Sequence, residues 1–199
     1  MGSGLSFSCD CGTVTGMLGH VGPKQGNRYV CYCSDCRDSI RHLGHAEAVL
    51  DAHGGVSLYQ SRCGTMHIHT GKAELACLHM TDGPLLRWYA KCCNTPMFNS
   101  YKTAKFPFIT TITYCCDKER LDQVLGPPIG DIFFKEATHP LPEPRPTSAF
   151  ATLRRWFPRA VRDWLSGDFR HAELFDSETL QPIATPRRLT AQERAAIAR

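Results

Sequence analysis

The run Cys31-Tyr32-Cys33-Ser34-Asp35-Cys36 sets three thiols within six residues. In an extended strand Cys31 and Cys33 project from one face, and the third thiol then arrives from a turn. Because the loop between them is so short, three soft ligands can reach one ion at Zn–S distances of about 2.3 Å with little loss of chain entropy. Zinc is the ion this ligand set suits best. Iron–sulfur ligation is the other thiolate chemistry, but it uses a longer cysteine pattern, and no fourth cysteine stands nearby. The fourth position decides what the site can do, since structural zinc is closed by four protein ligands while catalytic zinc keeps one place for water or substrate. His42 or His45 could turn back and close a Cys3His site; otherwise the cluster is open. Asp35 and Arg37 flank it, and Arg37 is a candidate anchor for a substrate carboxylate.

A second, dispersed set pairs Cys9-Asp10-Cys11-Gly12 with Cys92-Cys93-Asn94-Thr95-Pro96. Gly12 and Asn94 both tolerate the left-handed backbone that follows a knuckle cysteine, so two such knuckles meeting would form a closed metal site. Of the adjacent pair, Cys93 is the preferred ligand and Cys92 the weaker one. The alternative is that these thiols are simply buried. Cys63, Cys77, Cys115 and Cys116 lack ligand spacing and read as small core hydrophobes. His67 and His69 share a strand face without a third partner and read as structural.

The elements that must position these residues are mostly short strands. Runs of β-branched and aromatic residues broken by Gly, Pro, Asn and Asp predict strands at Leu5–Cys9, Thr13–Leu18, Arg28–Tyr32, Val56–Gln60, Met66–His69, Glu74–His79, Leu85–Tyr89 and Phe106–Tyr114. Ser34–Leu43 and Lys118–Leu125 read as helices. The sequence thus divides into a β domain over residues 1–126, a Pro-rich linker over 127–146 and a helical C-terminal extension over 147–199. In the extension, Thr147 or Ser148 caps a helix that Pro158 should kink or split in two, and Thr190 with Glu193 forms a capping box for a last helix.

Composition narrows the function classes. At 42% hydrophobic and 21% charged, 199 residues suffice for a globular core. A formal charge of +4, from 23 basic and 19 acidic residues, is too mild for a phosphate-neutralising face, so no nucleic-acid partner is expected. Neither a signal-like leader nor an apolar run of about 20 residues is present, so no transmembrane segment is expected. The expected location is therefore the cytoplasm, where eleven cysteines point to metal rather than disulfides.

The order C-x-C-G, then C-x-C-S-D-C-R, then an aromatic strand running into cysteine, a turn residue and Thr-Pro resembles the glutathione-dependent formaldehyde-activating enzyme family, which also contains centromere protein V. The resemblance covers roughly residues 5–116. It implies a twisted, mainly antiparallel β fold built around two zinc ions, with Cys9, Cys11 and Cys93 at a structural site and Cys31, Cys33 and Cys36 at a catalytic one. The family's third motif is an aromatic residue followed by C-x-x-C-G; here it reads Tyr89-Ala90-Lys91-Cys92-Cys93-Asn94, with Ala90 in the place of the first cysteine. The implied activity is that of a zinc-dependent carbon–sulfur lyase acting on the adduct of a thiol such as glutathione with a small carbonyl compound. The alternative is a non-catalytic zinc module that recruits a protein or membrane partner through its C-terminal helix.

Overall fold

The computed structural model describes residues 4–197. Its strands are β1 (Leu5–Ser8), β2 (Thr15–Leu18), β3 (Asn27–Cys31), β4 (Val56–Ser61), β5 (Met66–Thr70), β6 (Leu75–His79), β7 (Leu85–Ala90), β8 (Pro96–Tyr101), β9 (Ile109–Ile112), β10 (Asp131–Ile132) and β11 (Arg187–Arg188). Its helices are α1 (Ser34–His42), α2 (Ala46–Val49), α3 (Lys118–Leu125), α4 (Ala149–Ser166) and α5 (Ala191–Ile197). The architecture is mixed α/β with sheets as the framework. A three-stranded sheet, β1-β2-β5, accompanies an eight-stranded one ordered β10-β3-β4-β9-β8-β7-β6-β11. β8 is a strand that the sequence does not announce. Pro96 is tolerated because it opens the strand, and Asn99 and Ser100 are polar yet buried.

Pairing register sorts the large sheet into two faces. Tyr59, Leu86, Trp88, Phe98 and Ile109 share one core with Leu5, Phe7, Leu18 and Met66 of the small sheet, and Phe7 meets Phe98 edge-on at 5.2 Å. The opposite face carries a row of successive cross-strand partners: Asn27, Gln60, Thr110, Asn99 and Arg87. Asn27 Nδ2 donates to Gln60 Oε1 at 2.9 Å and Asn99 Nδ2 to Thr110 Oγ1 at 2.9 Å, so this buried polar row is largely satisfied from within. Beside it, Val56, Leu58 and Ile112 pack against Cys36 and Ile40 of α1.

Beyond residue 126 the chain is woven into this framework. β10 adds a parallel strand to β3, and β11 adds one to β6, so the otherwise antiparallel large sheet has a parallel pair at each edge. Parallel pairing follows from the long excursions that bring the tail back to each edge. The segment expected as a linker thus supplies an edge strand, held by Arg145 N donating to Asp131 Oδ2 at 2.7 Å. Ala172, Leu174, Phe175 and Leu180 enter the main core. α4 runs unbroken through Pro158, ten residues into the helix, and is tied down by Trp156 Nε1 donating to the Pro107 carbonyl at 3.1 Å. Among the described residues no helix is long and apolar enough to cross a membrane.

Candidate metal centre and cavity

β3 and α1 together build the first cluster. Cys31 ends β3, Cys33 is the extended residue that starts α1, and Cys36 lies in its first turn. The Sγ atoms of all three lie within 4.8 Å of one another, with Cys31 and Cys33 at 3.4 Å. Cys33 and Cys36 also sit where the helix macrodipole favours negative charge. Hydrogen bonds from Cys31 and Cys33, aided by the Arg87 guanidinium, hold the Cys36 thiol well below the ordinary thiol range, while hydrogen bonds with Cys33 and Cys36, and burial, push Cys31 up.

Arg87 is the residue that sequence reading missed. It is 5% exposed, its side chain makes no hydrogen bond among the described residues, and its Nε is buried without a partner. Burial opposes its charge, but Cys36, Cys33, Cys31 and Asp35 more than offset this and hold it protonated. Its signal in the sequence is a charged residue between Leu86 and Trp88, both buried on the other face. Arg87 and the three thiols line a cavity of about 120 Å³ together with Tyr29, Gln60, Asn99, Thr110 and Phe133.

Arg37, expected as a substrate anchor, uses one nitrogen to hold backbone. Its Nη1 donates to the carbonyls of Tyr32 at 3.2 Å and Glu136 at 2.9 Å, strapping the segment after β10 onto the turn into α1. Ser34 N donates to Glu136 Oε2 at 3.0 Å beside it. Neither candidate histidine closes the cluster. His45 Nε2 lies 3.1 Å from the Cys93 carbonyl, and its Nδ1 is 3.5 Å from Asp10 Oδ2, at the other cluster. His42 faces Arg187, with Nε2 and Nη2 3.2 Å apart. Among the described residues, no fourth Cys, His, Asp or Glu joins Cys31, Cys33 and Cys36.

The second cluster joins two turns. Cys9 and Cys11 come from the β1–β2 turn, where Gly12 has φ +76°, and Cys92 and Cys93 from the β7–β8 turn, where Asn94 has φ +57°. All four Sγ atoms lie within 4.8 Å of one another. Four sulfurs at tetrahedral zinc distances stand about 3.8 Å apart. Here Cys9–Cys11 is 3.6 Å, Cys9–Cys92 is 3.8 Å, Cys92–Cys93 is 3.8 Å and Cys11–Cys92 is 3.2 Å. All eleven cysteines are free thiols, so neither cluster is a disulfide. Cys92 is therefore a full member, not the weaker candidate that adjacency to Cys93 suggests. Ala90 leaves no gap, because it is the fully buried last residue of β7 and Cys92 reaches the ligand position from the turn beyond it. Thr95 braces the site: its Oγ1 accepts from Asp10 N at 3.0 Å and lies 3.0 Å from Cys93 Sγ. Hydrogen bonds from Thr13 pull the Cys11 thiol down to about 6. Both clusters are geometrically able to hold a metal ion and are consistent with zinc.

A family model described as a family of unknown function (DUF6151) matches residues 1–178. The chain belongs to this family. No curated protein matches it. Among solved structures it is similar to a Rhodobacter sphaeroides protein determined as a structural genomics target, with 15% identity and a TM-score of 0.40 over 60% of this chain and 97% of that one.

The remaining sequence candidates lie away from both clusters. Cys63, Cys77, Cys115 and Cys116 are buried in the core. His67 Nδ1 is 3.7 Å from Glu173 Oε1 on the surface.

Proposed function

We propose that this member of the family binds two zinc ions and makes or breaks a carbon–sulfur bond between a small thiol, such as glutathione, and a small carbonyl compound. The observation that carries this reading is the contrast between the clusters. Four thiols close one of them, whereas the other has three, no fourth protein ligand among the described residues, and a cavity in front of them. That contrast is what separates structural from catalytic zinc sites. The resemblance to the formaldehyde-activating enzymes supports the same division.

Cys31, Cys33 and Cys36 would hold the ion, which when bound supplies a Lewis acid that lowers the pKa of a thiol in its open position. Three thiolates around a divalent cation leave one negative charge. The buried Arg87 guanidinium offsets it, so an anionic sulfur can enter without facing net repulsion. In the addition, the thiol sulfur bonds to the carbonyl carbon and the π pair moves to oxygen. Oxygen takes up one proton as the thiol loses one, giving a hydroxyl-bearing thioether carbon, and the reverse step releases both partners. Arg87 and the polar row end beside this position, where they can receive the developing oxyanion.

Metal analysis tests the assignment. The wild-type chain should carry two zinc ions, and Cys33→Ser and Cys92→Ser should each carry one; a zinc-free wild type purified without chelator refutes it. Cobalt-loaded protein should change its visible spectrum on adding glutathione, and an unchanged spectrum refutes the open position. The non-catalytic reading draws on Phe150, Phe157 and Leu165, which α4 leaves exposed. It expects two zinc ions and no response to glutathione.

A further inference from the structure

The cavity before Cys31, Cys33 and Cys36 does not end at the polar row. Gln60, Phe108, Ile132, Phe133 and Thr152 line both it and a groove of about 360 Å³ between α4 and the sheet. The far walls of the groove are aromatic and aliphatic: Phe106 stacks on Trp156 at 4.9 Å and lies tilted against Tyr101 at 4.2 Å, and Leu153 lines the groove from α4. Phe133 stands at the junction. It is 58% exposed and holds a left-handed backbone with φ +57°, a conformation a bulky aromatic residue rarely adopts and one that concentrates at functional sites.

We propose that this groove is the outer half of the same site and holds the aromatic or alkyl body of the ligand whose sulfur lies at the three cysteines. The substrate class is then a thiol, or a thiol–carbonyl adduct, with an apolar body of roughly phenyl size or larger. This rests on the thiol chemistry proposed above and narrows its thiol from a charged peptide such as glutathione to one with an apolar body. Volume is the reason. The sulfur and the one-carbon end of an adduct fill an inner cavity of about 120 Å³, so the body of the thiol must lie outside it, and the groove lies in the range of small-molecule sites, about 300–1,000 Å³. Continuity with the thiol cavity fixes the ligand's direction, with sulfur inward beside Arg87 and the apolar body outward under Leu153.

Calorimetric titration of the zinc-loaded chain with 2-phenylethanethiol, 2-mercaptoethanol and the sulfur-free 2-phenylethanol tests this. The aromatic thiol should bind at least tenfold more tightly than 2-mercaptoethanol. Leu153→Asp, a change at a 53% exposed helix position, should bring the two thiols to the same affinity, and Phe106→Ala should weaken the aromatic thiol in a background that keeps Leu153. Equal affinity of the two thiols for wild type, or a preference unchanged in both variants, overturns the groove assignment and leaves the thiol chemistry standing. If neither thiol binds but 2-phenylethanol binds in a Leu153-dependent way, the groove stands and the thiol chemistry falls. If none of the three binds, both fall.

Discussion

α4 roofs the groove, and a buried carboxylate joins the Trp156 and Trp164 indoles in tying it down, so removing that carboxylate should loosen the roof. Asp163 is 1% exposed; its Oδ1 lies 2.6 Å from Arg62 Nε, and its Oδ2 accepts from Cys63 N at 3.4 Å. Arg62, with 12% of its side chain exposed, also pairs with the more exposed Asp168. Burial pushes the Asp163 carboxyl up while Arg62 pulls it back, so the pair itself contributes little net stability. The cost of Asp163→Ala comes from what is left behind. A fully orphaned buried charge costs about 3–5 kcal/mol. Because Arg62 keeps Asp168, the lower end applies, and the buried Cys63 amide left without an acceptor is included in it, giving about 3 kcal/mol. For a chain of this length that is a fall in Tm of about 6–12 °C. Asp168→Ala removes only a surface contact and should cost less than about 1 kcal/mol. Thermal unfolding of the zinc-loaded proteins, followed by circular dichroism with tryptophan fluorescence to report on Trp156, measures both. An Asp163→Ala penalty no larger than that of Asp168→Ala would refute the claim that the buried carboxylate holds the roof in place.

Much of the candidate site is legible because ligand spacing is local. Cys31, Cys33 and Cys36 meet through a strand end and one helical turn, which sequence periodicity already implies, and Gly12 and Asn94 mark the two knuckle turns by their backbone freedom. What is hidden is whatever long-range register brings together. Arg87 reaches the thiols across β8, β9 and β4, and nothing within the stretch Leu85 to Tyr89 says which strand it will face. Adjacent cysteines make an awkward chelate in an extended chain, which ranks Cys92 low, whereas the turn after Ala90 brings both thiols to Cys9 and Cys11. Arg37 shows the converse: its place in the motif suggests chemistry, and its Nη1 also donates to two carbonyls, a structural contact that the motif does not announce. The tail misled for a related reason. Pro127, Pro128, Pro140, Pro142, Pro144 and Pro146 exclude regular ladders locally, but two residues of β10 between them suffice to pair with β3. Edge strands this short carry no periodic signal.

Two further perturbations probe the elements around the site. Asp117 caps α3 by accepting from Glu119 N at 3.1 Å and Arg120 N at 3.4 Å, so Asp117→Ala should cost about 1 kcal/mol in urea unfolding while the zinc content stays at two. Glu193 closes the capping box of α5: its Oε2 accepts from Thr190 N at 2.8 Å, its Oε1 lies 2.8 Å from Arg187 Nη1, and its amide donates to Thr190 Oγ1 at 3.2 Å. The Thr190 amide first, and the Arg187 guanidinium after it, pull the Glu193 carboxyl down to about 2. An unfolded glutamate titrates near 4.3. Because the folded value is the lower one, the stabilisation is complete above about pH 4.3 and disappears as pH falls through about 2. Arg187 also sits 3.2 Å from His42 at the end of α1, so this cap links the last helix to the helix that carries Cys36. Side-chain carboxyl NMR should therefore show Glu193 titrating near 2, with the amide signals of Thr190 and Arg187 moving in the same step. Glu193→Gln should remove that step while leaving β11 paired with β6 and the core signals of Trp88 and Phe98 unchanged. A Glu193 carboxyl that titrates at the unfolded value would mean that the cap does not form, and that β11 is held to the sheet edge by its two backbone pairs, the Arg188–Asp82 contact and the burial of Leu189 without it.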